Sequence, residues 1–272
     1  MICDMHVHTS WSSDSNTPAR QQIESAIDQG MKSICITEHQ DYDHPAFPPD
    51  YYTFLIGDSD RTEEYFEDLK SLKVEYQNKI EVLIGVELGL QPHLADKLKT
   101  YTENFPFDFV IGSTHCFQGK DAEDASLYEN VDVTEVCKNY FMEELENVLK
   151  IPCFDVVGHM DFILRYAPKA AENFKYQKYG DVLDSLLRAI IQSGRGIEVN
   201  TSKTKLRGMT NPERTIIKRY AELGGEIITF GSDAHTADRI GESFNEVSQM
   251  VKSCGINYYA VYRNRKPDFY KI

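Results

Sequence analysis

The chain has 272 residues, 41% hydrophobic and 26% charged, enough to bury a sizeable core in one large barrel or two small domains. Its formal net charge of −14 argues against a general binder of nucleic acid or of a membrane surface. No apolar run approaches the length of a membrane span, no basic-then-apolar segment marks a signal peptide, and the six cysteines form no C-x-x-C pair, so a reduced, cytoplasmic protein is expected.

The short apolar run Met1-Ile2-Cys3 leads into Asp4-Met5-His6-Val7-His8. In an extended strand alternate side chains share a face, so His6 and His8 point the same way and can chelate one metal ion. Alone, the pair reads equally well as two surface histidines beside an edge strand. After a small polar loop, Asp14 offers a hard oxygen ligand. Thr17-Pro18 predicts an N-cap with proline at the first helical position. Ile23, Ala26 and Ile27 then give helical spacing, and Gly30 ends the element.

Residues 33–37 predict a buried strand that delivers Glu38-His39 at its C-terminal end. Residues 40–59 form a long loop rich in Pro and Tyr, read either as functional or as a packed lid. A charged helix is expected over 61–78, and a strand over 82–86 ending at Glu87. Pro92 opens another helix, and a strand over 107–113 delivers Thr114-His115. A second polar loop is expected over 116–131, followed by a helix marked by Val136, Tyr140, Phe141, Leu145 and Val148.

A strand over 154–158 delivers His159, and the loop after it carries Arg165. Val182, Leu183, Leu186, Leu187 and Ile190 mark a helix. A strand over 196–199 ends at Asn200, with Arg207 in the long loop that follows. Pro212 begins a helix that stops at Gly224-Gly225, and a strand over 226–230 ends in Gly231-Ser232-Asp233-Ala234-His235. Ile240, Phe244, Val247 and Val251 give a last helix, and residues 258–262 look like a closing strand. Seven strand–helix units argue for a single parallel α/β barrel over 1–272, distorted from the regular form, with an open doubly wound sheet as the alternative.

The strand-end residues are His6, His8, Asp14, His39, Glu87, His115, His159, Asp233 and His235. They include six of the eight histidines in the chain, leaving only His44 and His93 outside. Each alone reads as a satisfied core histidine or a structural carboxylate. Together, placed just after predicted strands, they argue for a metal site. Barrel closure brings strand ends from all around the sheet to one point, which is why the barrel is preferred to the open sheet. Mixed imidazole and carboxylate ligands suit zinc, manganese or iron, and nine are too many for one tetrahedral ion.

The chain resembles the PHP (polymerase and histidinol phosphatase) family. The motifs that carry the resemblance are Asp4-Met5-His6-Val7-His8, Thr37-Glu38-His39, Gly85-Val86-Glu87, Ser113-Thr114-His115, Gly158-His159 and Gly231-Ser232-Asp233-Ala234-His235. Within the family it is most similar to the stand-alone histidinol-phosphate phosphatases. These share its length, a Gly-His-x-Asp segment with a basic residue nearby, and a stretch like Glu198-Val199-Asn200-Thr201-Ser202. The resemblance implies a distorted (β/α)7 barrel with three divalent ions at the C-terminal strand ends. His6, His8, Glu87 and Asp233 would hold the first ion. Glu87 would bridge to a second, shared with His115 and His159, and Asp14, His39 and His235 would hold the third. Asp14 and Glu38 depart from residues common in relatives, and Glu38 is expected to support the site rather than bind metal.

The implied reaction is phosphomonoester hydrolysis by metal-activated water, acting on L-histidinol phosphate in histidine biosynthesis. Asp233, Glu87 and Arg165 would be catalytic, with Arg165 as a phosphate clamp whose other reading is a solvated loop residue. Arg207 and Asn200 are weaker candidates for binding a small-molecule phosphate ester. The alternative is a phosphoesterase acting on nucleotides or oligonucleotide ends. A metal-binding domain that has lost activity is disfavoured by the intact ligand set.

Overall fold

The computed structural model describes residues 2–45, 61–202, 204 and 208–272. Most of the loop predicted over 40–59 lies outside the described residues, and so does Arg207.

Six parallel strands form one sheet in the order β1 (Ser33–Gln40), β2 (Glu81–Gly89), β3 (Phe109–Ser113), β6 (Val156–Val157), β7 (Gly196–Asn200) and β8 (Ile228–Gly231). Their residues are buried almost without exception, as strands covered on both faces must be. The N-terminal segment lies between the two outer strands. Asp4 bridges Ile34 of β1 and Val7 bridges Ala234 just past β8. The Met5 amide donates to Phe230 O at 2.9 Å, and the Cys35 and Thr37 amides donate to Asp4 O and Val7 O at 2.9 and 2.8 Å. This segment is the seventh stave, and the fold is the distorted (β/α)7 barrel that the sequence predicts.

Helices pack outside through single apolar faces. In α1 (Ala19–Asp28) the buried residues are Ala19, Gln22, Ile23 and Ala26, a spacing that keeps one stripe inward. The faces of α6 (Gly180–Gln192), α7 (Arg214–Glu222) and α8 (Phe244–Ser253) follow the same rule, through Leu183, Leu186, Leu187 and Ile190, through Ile216, Ile217 and Tyr220, and through Phe244, Val247 and Val251. α2 (Arg61–Tyr76) and α3 (Ala95–Asn104), the latter after a 3₁₀ turn at Pro92–Leu94, complete the early units. α4 (Val133–Lys150) and the short α5 (Pro168–Glu172) lie between β3 and β7 in the chain.

Several local expectations are corrected. Thr17 does not cap α1: the helix begins at Ala19, and the Thr17 hydroxyl donates instead to His235 O at 3.0 Å. The helix after Pro212 begins at Arg214, capped by the Glu213 side chain, which accepts from the Thr215 amide. The last helix starts at Phe244, because Ile240 belongs to the turn before it. The polar loop over 116–131 holds a small antiparallel hairpin, β4 (Cys116–Phe117) and β5 (Lys120–Asp121). The strand expected to close the barrel, β9 (Tyr258–Arg263), instead pairs antiparallel with β10 (Lys266–Lys271). The N-terminal stave already takes the hydrogen bonds between β1 and β8, so no place is left in the barrel for β9.

Candidate metal centre

All nine predicted ligands come to one end of the barrel. His6 and His8 project inward from the N-terminal stave, His39 from the end of β1, Glu87 from β2 and His115 from just past β3. His159 follows β6, and Asp233 and His235 follow β8. Asp233 has φ +54, a left-handed conformation uncommon for a residue with a side chain and often found where function requires it.

Glu87 sits at the centre, fully buried. Its Oε2 lies 3.2 Å from His6 Nε2, 3.5 Å from His8 Nε2 and 2.9 Å from His39 Nδ1. Its Oε1 lies 3.2 Å from His115 Nε2 and 2.9 Å from His159 Nε2, and accepts from the Ser113 hydroxyl at 2.7 Å. Asp233 Oδ1 is 3.4 Å from His8 Nε2 and 3.8 Å from His6 Nε2. Asp14 Oδ2 faces His235 Nε2 at 2.8 Å and His39 Nε2 at 3.4 Å. His39 therefore stands between the Glu87 cluster and the Asp14 cluster.

Hydrogen bonding alone does not explain this packing. His6 Nε2 and His8 Nε2 face each other at 2.9 Å, where two ring nitrogens share at most one proton. The His6 Nδ1 atom is engaged by Glu198 Oε1 at 2.6 Å, and His115 Nδ1 by Asp41 Oδ1 at 2.8 Å. With the ring neutral, each bond takes the Nδ1 proton and aims the Nε2 lone pair into the cluster, the tautomer a metal ligand needs. Ligand atoms about 2 Å from a tetrahedral ion stand about 3.3 Å apart. The separations among His6, His8, Glu87 and Asp233 run from 2.9 to 3.8 Å. The donor set fits divalent cations.

The electrostatics agree. Burial alone would lower the His6 imidazole, yet the Glu198, Glu87 and Asp233 carboxylates hold it well above its ordinary value. Burial and the neighbouring His39 and His235 push His8 down to about 3. Burial works to raise Glu87, but the charges of His6, His115 and His39 hold it well below the usual carboxylate range. The buried carboxylates thus draw compensating protons onto adjacent rings, and cations supply that compensation directly while releasing the protons.

A buried network supports the ligands. Glu198 Oε2 accepts from the His159 amide at 2.9 Å while its other oxygen holds His6. Glu38 binds the Thr9 hydroxyl at 2.6 Å and the Ser12 hydroxyl at 2.5 Å, behind the ligands. Two glycines make room for the orienting carboxylates, since a Cβ at Gly89 would overlap Asp41 Oδ1 and one at Gly231 would overlap Glu198 Oε1. Asp41, Glu198 as an orienting group, and Asn211 were missed by sequence reasoning. The only local signals were an acid two residues past His39 and the Glu-x-Asn stretch.

Arg165 is buried beside the cluster, not solvated. Its Nε donates to Asn211 Oδ1 at 2.9 Å, one terminal nitrogen to Asn200 Oδ1 at 3.0 Å, and the other to Asp233 Oδ2 at 3.3 Å. Asn211 is in turn held by Asp161 at 2.6 Å. Asn200 also donates to Glu198 Oε2 and Asp233 Oδ2, so both ends of its amide are engaged. A cavity of about 570 Å³ opens over the ligands, with His44, Asp121, Glu123, Tyr166 and Ser202 among its walls. Among the described residues no helix is long and apolar enough to cross a membrane.

The sequence profile of the PHP domain family matches residues 4–202. A Clostridium acetobutylicum protein named "Probable histidinol-phosphatase" is 33% identical, with 94% of this chain and 95% of that protein covered. A Lactococcus lactis "Histidinol-phosphatase" is 29% identical, over 97% and 96% of the two chains. The crystal structure of histidinol phosphate phosphatase from Lactococcus lactis, complexed with zinc, L-histidinol and phosphate, superposes with a TM-score of 0.86 at 27% identity, covering 98% of both chains.

Proposed function

The chain belongs to the PHP domain family, and from that premise we propose that it is a histidinol-phosphatase, converting L-histidinol phosphate into L-histidinol and phosphate in histidine biosynthesis. The carrying observation is the position of Glu87, whose two oxygens face five imidazoles drawn from four staves of the barrel. Its support is the full-length similarity to histidinol-phosphatases and to a zinc, histidinol and phosphate complex.

We assign three divalent ions, of zinc, manganese or iron. One is held by His6, His8, Glu87 and Asp233, one by Glu87, His115 and His159, and one by Asp14, His39 and His235. When bound, such ions lower the pKa of water and offset the charge of a phosphate dianion. The protein's own part is placement. Arg165 orients the phosphoryl group through its planar fork of donors, matched to phosphate oxygens. Asn200 and Asn211 hold that fork, so Asn200 acts through Arg165 and Asp233. Phe162 packs under the guanidinium, 4.8 Å from its carbon, and shields that face from water. The six free cysteines, all buried, fit a reducing cytoplasm.

The test is turnover by zinc-loaded enzyme on L-histidinol phosphate, a nucleoside monophosphate and a nucleotide diester. Histidinol phosphate is expected to give the highest kcat/KM and the diester the lowest. A diester hydrolysed fastest overturns the reading in favour of a nuclease-like site.

A further inference from the structure

The two oxygens of Glu87 are not equivalent. Oε2 faces His6, His8 and His39 and has no hydrogen-bond partner among the described residues. Oε1 faces His115 and His159 and also accepts a 2.7 Å hydrogen bond from the Ser113 hydroxyl. A hydroxyl that close to a carboxylate makes a strong, charge-assisted bond. The serine differs from the rings once cations are bound. An imidazole that coordinates through Nε2 has given up the proton there and no longer donates to Glu87. The Ser113 hydroxyl keeps its proton, so it is the donor to Oε1 that survives metal loading.

Ser113 is held where this donation is possible. It is the last residue of β3 and wholly buried, and its register partner Gly89 lies two residues past Glu87 on β2. Its carbonyl accepts from the Leu90 amide at 2.7 Å. The next residue is pinned from α4: the Tyr140 hydroxyl donates to Thr114 O at 2.8 Å, and Asn147 Nδ2 to Thr114 Oγ1 at 3.2 Å and to Leu90 O at 3.3 Å. A Cβ at Gly158 would overlap the Ser113 hydroxyl, so the glycine just before His159 leaves the space that this hydroxyl occupies.

We propose that Ser113 is a positioning residue that divides the Glu87 carboxylate between two ions. It holds Oε1 toward the ion of His115 and His159 and leaves Oε2 to the ion of His6, His8 and Asp233. This rests on the ion assignment above and adds what fixes the rotation of the bridging carboxylate. A carboxylate free to turn can give both oxygens to one ion. The first ion has three ligands besides Glu87, whereas the second has only His115 and His159. The third ion, held by Asp14, His39 and His235, does not use Glu87. Loss of the hydroxyl therefore falls on one ion of the three.

The test is zinc release from Ser113→Ala and wild type, each zinc-loaded and titrated with a chromophoric chelator. One zinc site is expected to weaken at least tenfold in the variant, with the other two within twofold of wild type and the far-ultraviolet circular dichroism unchanged. His115→Ala weakens the same site, so adding Ser113→Ala to it should weaken that site less than twofold further; added to His235→Ala, the full loss should reappear. At saturating zinc, kcat on L-histidinol phosphate should fall at least tenfold with KM within threefold, because misplaced ions impair the reacting step and leave the contacts of Arg165 with phosphate. Three unchanged zinc sites overturn the proposal, as does equal weakening of all three, which general loosening of the barrel would give. So does a full further loss in the His115→Ala background, or a raised KM with kcat kept. Selective zinc loss in the variant, with no turnover of histidinol phosphate by the wild type, would keep the role of Ser113 and reject the phosphatase reading.

Discussion

The Asp41 carboxylate and the His115 imidazole are joined by a 2.8 Å hydrogen bond through Nδ1, between residues 74 positions apart in the chain. The Asp41 side chain is buried just past β1, 3% exposed, and its second oxygen has no hydrogen-bond partner among the described residues. The bond fixes the ring so that Nε2 faces Glu87. Asp41→Asn can present an N–H where the ring needs an acceptor, and so loosens both ring orientation and basicity. Zinc affinity, measured by competition with a chromophoric chelator, should fall about 10–100-fold. An unchanged zinc affinity would show that His115 is oriented without Asp41.

Glu87 faces histidines through both oxygens, so Glu87→Gln should weaken two ion sites together. Elemental analysis of wild type purified without chelator should give about three ions per chain, and the variant fewer by about two. Activity should drop by several orders of magnitude. The far-ultraviolet circular dichroism should persist, because the staves are joined by backbone bonds that do not involve this side chain. Wild-type metal content in the variant would show that the bridge is assigned wrongly.

Arg165→Ala should lower kcat/KM for phosphomonoesters at least tenfold, since one hydrogen bond to a charged group is worth about 1.5–3 kcal/mol. It also leaves Asn200 and Asn211 without a donor they now bind, so the thermal midpoint should fall as well. Arg165→Lys restores a charge but not the fork, and should recover only part of the lost efficiency. Full recovery by lysine would reduce the role of Arg165 to simple charge.

Glu144, on the inner face of α4, is wholly buried, and neither of its oxygens has a hydrogen-bond partner among the described residues. Burial, reinforced by the charge of Asp161, pushes its carboxyl well above the ordinary value. A carboxyl whose folded pKa is raised favours the folded state fully below the unfolded pKa, and that contribution is lost as pH rises through the folded value. Glu144→Gln cannot titrate. Its thermal midpoint relative to wild type should rise between pH 5 and pH 8, by about 2 °C or more if 1 kcal/mol is involved. The same difference at both pH values would show that Glu144 is not titrating in this window.

Eight of the nine predicted ligands were legible in the sequence because they lie at or just past the end of a short apolar run, whereas Asp14 follows a small polar loop. A run of that kind has a local cause, the burial of a strand on both faces, and its end marks the barrel mouth. The spacing of His6 and His8 follows from strand alternation in the same way. The apolar helix faces, such as Leu183, Leu186, Leu187 and Ile190, were legible for the analogous helical reason. The orientation of those ligands was decided only by the tertiary structure. His6 takes its tautomer from Glu198, 192 residues away, and Arg165 takes its direction from Asn211, 46 residues away, which Asp161 holds in turn. The same holds for Thr17, which sequence spacing marks as a helix cap and the fold assigns to His235. It holds for β9, kept out of the barrel because the N-terminal stave lies between β1 and β8. Local periodicity records which face of an element is buried. It carries no record of which distant donor or acceptor meets a buried polar group, because that depends on how the staves close around the site.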